Sequence, residues 1–176
     1  DTEYTDSQAD KGVEYQYDTL RADDERAYFA TTVRSDPTAG RFHALDATTG
    51  DPAWERDRFV TSDTLADGLY LGGDGVLAVD PATGEETWTG DGASFLVEGP
   101  VRGDTLYAGG DGIAAYATAD GDERWSWSAP ADIVTPTAVG EAGVYASTGG
   151  GDEAPPVVYA RATTDGSERW TFEADA

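Results

Sequence analysis

The chain has no cysteine, no methionine and no asparagine, and only one histidine (His43) and one lysine (Lys11) in 176 residues. Without cysteine there is no disulfide framework, no thiolate nucleophile and no zinc–thiolate site. No apolar run is long enough to cross a bilayer, and no signal peptide pattern is present. A chain that begins at Asp1 and contains no methionine reads as a processed chain or an excerpt of a longer one. No stretch carries apolar residues at helical spacing, so the expectation is an all-β protein.

Basic residues are also scarce: 11 against 35 acidic ones, a formal net charge of −24. An excess of this size repels nucleic acid and anionic membrane surfaces at moderate salt. Neither a nucleic-acid partner nor membrane insertion is expected. Disorder is the usual consequence of such charge, but the regular apolar and aromatic pattern argues against it. The composition instead resembles that of proteins from extremely halophilic archaea. At molar ionic strength the Debye length falls to about 3 Å, which screens repulsion between surface carboxylates. An ordinary acidic extracellular domain is the alternative.

What the chain has in abundance is a repeat. Ala44-Leu45-Asp46-Ala47-Thr48-Thr49-Gly50-Asp51-Pro52-Ala53-Trp54 recurs as Ala78-Val79-Asp80-Pro81-Ala82-Thr83-Gly84-Glu85-Glu86-Thr87-Trp88. Weaker copies run from Ala115 through Gly121 to Trp125 and from Ala160 through Gly166 to Trp170. Four of the five tryptophans thus stand four residues after a glycine, and a fixed period of this kind marks a stacked or radial array. Units three and four replace the motif aspartate by Ala117 and Ala162, and the threonine by Asp120 and Asp165.

Each unit reads as four short strands. In unit two these include Leu69–Leu71, the turn Gly72-Gly73-Asp74-Gly75, the return Val76–Val79, a second turn through Gly84, and an outer strand around Trp88. Glycine and aspartate suit such hairpin turns. Unit three repeats the order with Thr105–Ala108, Gly109-Gly110-Asp111-Gly112, Ile113–Tyr116 and Glu123–Trp127. Unit one is placed at Thr19–Ala22, Arg26–Val33, Arg41–Asp46 and Ala53–Phe59. Unit four uses Ile133–Val139, Gly143–Ser147, Val157–Ala162 and Glu168–Phe172, with an expanded hairpin at Thr148–Pro156. Four strands in about 40 residues is the signature of a propeller blade. The expected division is one domain, 1–176, with blades near 18–59, 60–93, 94–130 and 131–176. Residues 1–17 form an extension in which Tyr15 occupies the tryptophan position of a degraded outer strand.

The pattern A-x-D-A-x-T-G-x-x-x-W, following a Leu-Tyr or Val-Tyr strand and a Gly-Gly-Asp-Gly turn, resembles the pyrroloquinoline-quinone-like β-propeller repeat. That family includes the quinoprotein alcohol dehydrogenases and the outer-membrane assembly lipoprotein of the BamB type. The resemblance runs from about Asp18 to the end. It implies that Trp54, Trp88, Trp125 and Trp170 pack between neighbouring blades over Ala44, Ala78, Ala115 and Ala160 and the turns of Gly50, Gly84, Gly121 and Gly166. Family members close with seven or eight blades and this chain carries about four. It is therefore expected to be a half-ring, an excerpt of a larger ring, or a rare four-blade ring. An open half leaves unpaired edges, which pairing with a second copy would remove.

In the family's enzymes, quinone and calcium are held by an adjacent cysteine pair with acidic and amide ligands, and this chain has neither cysteine nor asparagine. No cofactor and no catalytic residue are therefore expected, with pyrroloquinoline quinone or calcium as the alternative that the resemblance carries. His43 reads as a packed structural histidine. The serines at 35, 62, 94, 126, 128, 147 and 167 match no nucleophile-elbow pattern. Asp74, Asp111 and Asp152 could offer oxygen ligands to a hard cation, yet tight-turn chemistry accounts for them and none fits a twelve-residue calcium loop. Trp127 is given no role. Two functions follow: a non-catalytic scaffold binding a protein partner or a ligand, outside the cell or on its surface, or a quinoprotein-like dehydrogenase domain whose active residues are absent here or lie outside this chain. The cytoplasm of a salt-in halophile is the alternative home.

Overall fold

In a computed structural model the chain is all-β, with sixteen strands and no helix among the described residues, which are 15–33, 36–91, 93–130, 134–148 and 155–174. The chain divides into two compact units, one ending at Val60 and one beginning at Thr61. The first holds β1 (Tyr15–Ala22), β2 (Arg26–Val33), β3 (Asp36–Asp46) and β4 (Pro52–Asp57), paired in that order as an antiparallel sheet. Next come β5 (Val60–Leu65), β6 (Leu69–Gly73), β7 (Gly75–Val79) and β8 (Glu86–Gly90), a second sheet in sequence order. The third is β9 (Ala93–Arg102), β10 (Thr105–Gly110), β11 (Gly112–Ala117) and β12 (Glu123–Ser128). The fourth is β13 (Val134–Val139), β14 (Val144–Thr148), β15 (Val157–Arg161) and β16 (Glu168–Glu173). A single bridge, Gly110 to Val134, joins the third and fourth sheets at their inner strands. Four antiparallel four-stranded sheets connected in sequence are propeller blades.

The repeat motif does the same thing in every blade. The motif glycines Gly50, Gly84, Gly121 and Gly166 all have positive φ, between 68° and 77°. In each turn the glycine N–H donates to the carbonyl four residues back, as Gly84 does to Asp80 at 2.8 Å and Gly166 to Ala162 at 3.0 Å. Asp46 Oδ1 accepts from the N–H groups of Thr48 and Thr49, and Asp80 Oδ1 from those of Ala82 and Thr83. In blades three and four alanine cannot do this, but Asp120 and Asp165 take over the bond that Thr49 and Thr83 make, accepting from the N–H two residues on. Substitution within the turn is thus compensated within the turn.

Just after the motif alanine, each pairing of the third and fourth strands skips one residue. Ala44 faces Trp54 but Leu45 faces Pro52, and the same slip follows Ala78, Ala115 and Ala160. A bulge at this point re-aims the tryptophan on the outer strand. Strand alternation then settles two faces per blade. One carries the row tyrosine–alanine–tryptophan: Tyr28, Ala44, Trp54; Tyr70, Ala78, Trp88; Tyr107, Ala115, Trp125; and Tyr145, Ala160, Trp170.

Strand positions differ from the sequence expectation in one place that matters. β1 begins at Tyr15, so Tyr15–Tyr17 continue the inner strand of the first blade and pair with Val33, Thr32 and Thr31. Residues 10–14, Ser35, Asp152 and most of the expanded hairpin, 149–154, lie outside the described residues.

Candidate functional site

Within the second unit, the tryptophan face of one blade meets the opposite face of the next at two places. At the first, Tyr70, Val76, Ala78 and Trp88 of blade two pack against Leu96, Leu106, Ala108, Ala114 and Tyr116 of blade three. Trp88 Nε1 donates to the Thr118 carbonyl at 2.9 Å. Its ring lies so close to Gly121 that a Cβ there would stand 2.6 Å from Trp88 Cε3. At the second, Tyr107, Ile113, Ala115 and Trp125 pack on Val144 and Ala146. Trp125 Nε1 donates to the Thr163 carbonyl at 3.0 Å, and a Cβ on Gly166 would stand 2.5 Å from Trp125 Cε3. Both indoles are buried, and both turn carbonyls are the residue after the motif aspartate position. A buried indole N–H needs an acceptor, and here the following turn supplies it.

The expected set also includes Trp54 with Ala44 and Gly50, and Trp170 with Ala160. Trp54 is half-buried between Tyr28 and Phe42, at ring distances of 6.1 and 6.0 Å. Trp170 lies 5.9 Å from Tyr145 on its own sheet and is otherwise exposed. The turn of Gly50 is exposed, with nothing within 4 Å of where its Cβ would lie.

The sequence-based set lacks four side chains that belong with it. Tyr28, Tyr70, Tyr107 and Tyr145 each stack beside the tryptophan of their own blade at 5.7–6.1 Å. Their signal is the tyrosine at a fixed place in every second strand. Burial raises the hydroxyl pKa of Tyr28 and Tyr70, reinforced by hydrogen bonds of 2.8 Å donated to Asp23 and Asp67. Tyr116, which donates to the Asp91 carbonyl, is pushed up by burial to about 12. Trp127 also finds a place: it lies 5.0 Å from Tyr159 of the next blade, with the Arg161 guanidinium 4.0 Å over its ring.

His43 sits on the other face of the first blade, stacked on Phe29 at 4.6 Å, with Nε2 3.1 Å from Thr31 Oγ1 and Nδ1 3.4 Å from Glu55 Oε1. Phe29 and Glu55 are its direct cross-strand neighbours, while Thr31 pairs with Arg41 and reaches His43 on the diagonal. Burial lowers the His43 pKa, and Glu55 only partly offsets it. The folded state therefore binds its proton less well than the unfolded chain, so this group costs stability as pH falls below its ordinary 6.5. Its single imidazole resonance is expected to titrate below 6.5 by NMR. A midpoint above that value would contradict the burial seen here.

Asp74 and Asp111 each lie at the tip of a hairpin in a different blade, and no cluster of three histidine, aspartate or glutamate side chains suited to a metal occurs among the described residues. No helix among the described residues is long and apolar enough to cross a membrane.

Residues 72–176 match the model of the repeat family described as outer membrane protein assembly factor BamB. The chain belongs to this PQQ-like repeat family. A sequence comparison with curated proteins gives no match. Among solved structures, BamB from Moraxella catarrhalis superposes with a TM-score of 0.57 at 20% identity, covering 89% of this chain and 50% of that one. Quinohemoprotein alcohol dehydrogenase from Comamonas testosteroni gives 0.59 at 21% identity, covering 88% and 34%. The computationally designed Ika8 protein gives 0.67 at 13% identity, covering 91% and 50%. The chain spans half or less of the length of these structures, which share its fold.

Proposed function

We propose that this chain is a non-catalytic scaffold that binds a protein partner, built from four blades near 18–59, 60–93, 94–130 and 131–176, the last three of which are locked by tryptophan joints. The observation that carries the reading is the match over residues 72–176 to the family described as outer membrane protein assembly factor BamB. The packing supports it. Trp88 and Trp125, with Gly121 and Gly166, are consumed by contacts between sheets, so neither of these two rings is free to stack on a cofactor. We place the protein outside the cell or on its surface, adapted to concentrated salt. Ten arginines face 35 carboxylates, and two of them are already engaged twice, Arg41 with Glu55 and Asp57 and Arg124 with both oxygens of Asp104.

One thermal-melting experiment tests both parts. Lowering KCl from about 1 M to about 0.1 M lengthens the Debye length from about 3 to about 10 Å and is expected to unfold the chain. Adding pyrroloquinoline quinone and calcium at high salt is expected to shift neither the melting temperature nor the quinone spectrum. A melting temperature indifferent to salt would remove the salt adaptation. A saturable shift with quinone and calcium would replace the scaffold by a quinone-binding domain.

A further inference from the structure

Three large apolar side chains stand exposed among the described residues: Leu20 at 69%, Trp170 at 46% and Phe172 at 58%. Each occupies a position that is covered in another blade. Leu20 pairs with Phe29, which pairs with His43, the residue before a motif alanine. Leu96 stands at the same node of blade three, pairing with Ala108, which pairs with Ala114; it is buried under the tryptophan face of blade two at 6% exposure. Trp170 corresponds to Trp88 and Trp125, which are 7% and 8% exposed. Phe172, two residues on, corresponds to Trp127, which packs on Tyr159 of the next blade. Tyr159 and His43 are in turn equivalent, each preceding its motif alanine.

The 176-residue chain therefore contains both halves of one more joint. Blade four offers the tryptophan half, Tyr145, Trp170 and Phe172 on one face. Blade one offers the receiving half: Leu20, Phe29 and His43 on one face, beside the Gly50 turn. That turn has the positive φ of its relatives, and the space above it is open.

We propose that two copies of this chain associate head to tail, Trp170 and Phe172 of each docking on the Gly50 turn and the Leu20–Phe29–His43 face of the other. The proposal rests on the tryptophan-joint reading above. By the template of the two joints in place, the Trp170 Nε1 donates to the Ala47 carbonyl, the equivalent of Thr118 and Thr163. A second copy is the occupant we propose, because it brings the complement of each half twice, with two-fold symmetry. Length agrees: this chain covers 50% of both the BamB and the Ika8 chains. Exposed rings of this kind otherwise invite open-ended association.

Complementation tests the proposal. Sedimentation of the full chain in molar KCl is expected to give twice the 18.5 kDa monomer mass. Trp170→Ala and Gly50→Ala are each expected to weaken association at least tenfold while leaving circular dichroism unchanged, since neither site is covered in the single chain. Phe172→Ala gives a second, milder probe of the same half. Mixing Trp170→Ala with Gly50→Ala restores one intact joint, so the mixture is expected to dimerise where each variant alone does not. A monomer at every concentration, or a mixture no better than its parts, overturns the proposal. Neither result touches the internal joints, which are read separately from the stability of Trp125 and Gly166 variants.

Discussion

Replacing Trp125 by alanine is expected to destabilise the second unit by about 3–5 kcal/mol. The indole is buried in a cluster with Tyr107, Ile113, Val144 and Ala146, so its removal leaves a cavity that two rigid sheets cannot close. The loss also strips the Thr163 carbonyl of its donor at 3.0 Å, leaving only the Tyr107 hydroxyl at 3.3 Å. At roughly 2–4 °C per kcal/mol for a chain of this size, the melting temperature should fall by about 6–20 °C. Because repeat arrays draw stability from neighbour interfaces, the unfolding curve is expected to broaden as blades three and four uncouple. Trp125→Phe keeps most of the apolar area and should cost only about 1–2 kcal/mol for the hydrogen bond and the smaller ring. Chemical unfolding in molar KCl measures both. A Trp125→Ala variant within about 0.5 kcal/mol of the parent, the range of ordinary surface changes, would remove the indole from the account of stability.

Alanine in place of Gly166 is expected to cost more than alanine in place of Gly50, although the two glycines share a conformation. Both have positive φ, 68° and 75°, which charges any L side chain about 1–2 kcal/mol. At Gly50 that is the whole cost in a single chain, because nothing lies within 4 Å of the new Cβ. At Gly166 the Cβ would also stand 2.5 Å from Trp125 Cε3 and 2.9 Å from Cδ2. A ring with its N–H tied to a carbonyl and its face in the core cannot swing away, so overpacking adds about 1–3 kcal/mol. Gly50→Ala is thus expected at about 1–2 and Gly166→Ala at about 2–5 kcal/mol, measured at a concentration where the chain is monomeric. Equal costs at the two sites would mean that the tryptophan does not press on the turn.

The sequence carried the all-β class, the four-blade count and most strand positions, because the repeat is written four times in residues of distinctive chemistry. Arg26–Val33 agrees to the residue. What could not be read depends on pairing rather than identity. The skipped residue before each tryptophan exists only in the register between strands, and the residues at that position, Ala53, Thr87, Arg124 and Arg169, are of three different kinds. The tyrosine beside each tryptophan was visible as part of a strand, but its partnership is a cross-strand relation spaced 18 to 26 residues away. Tyr15 was assigned by analogy to a tryptophan position, and strand pairing with Val33 decided otherwise. The role of Trp127 was hidden because its partner Tyr159 belongs to the next blade.

A double-mutant cycle on Trp125→Ala and Gly166→Ala tests the tryptophan joint most directly. With the indole gone, Gly166→Ala should cost only what Gly50→Ala costs, about 1–2 kcal/mol, so that the two changes are sub-additive by at least about 1 kcal/mol. Strict additivity would contradict the joint, since two groups whose changes simply add do not touch in a way that holds blades three and four together.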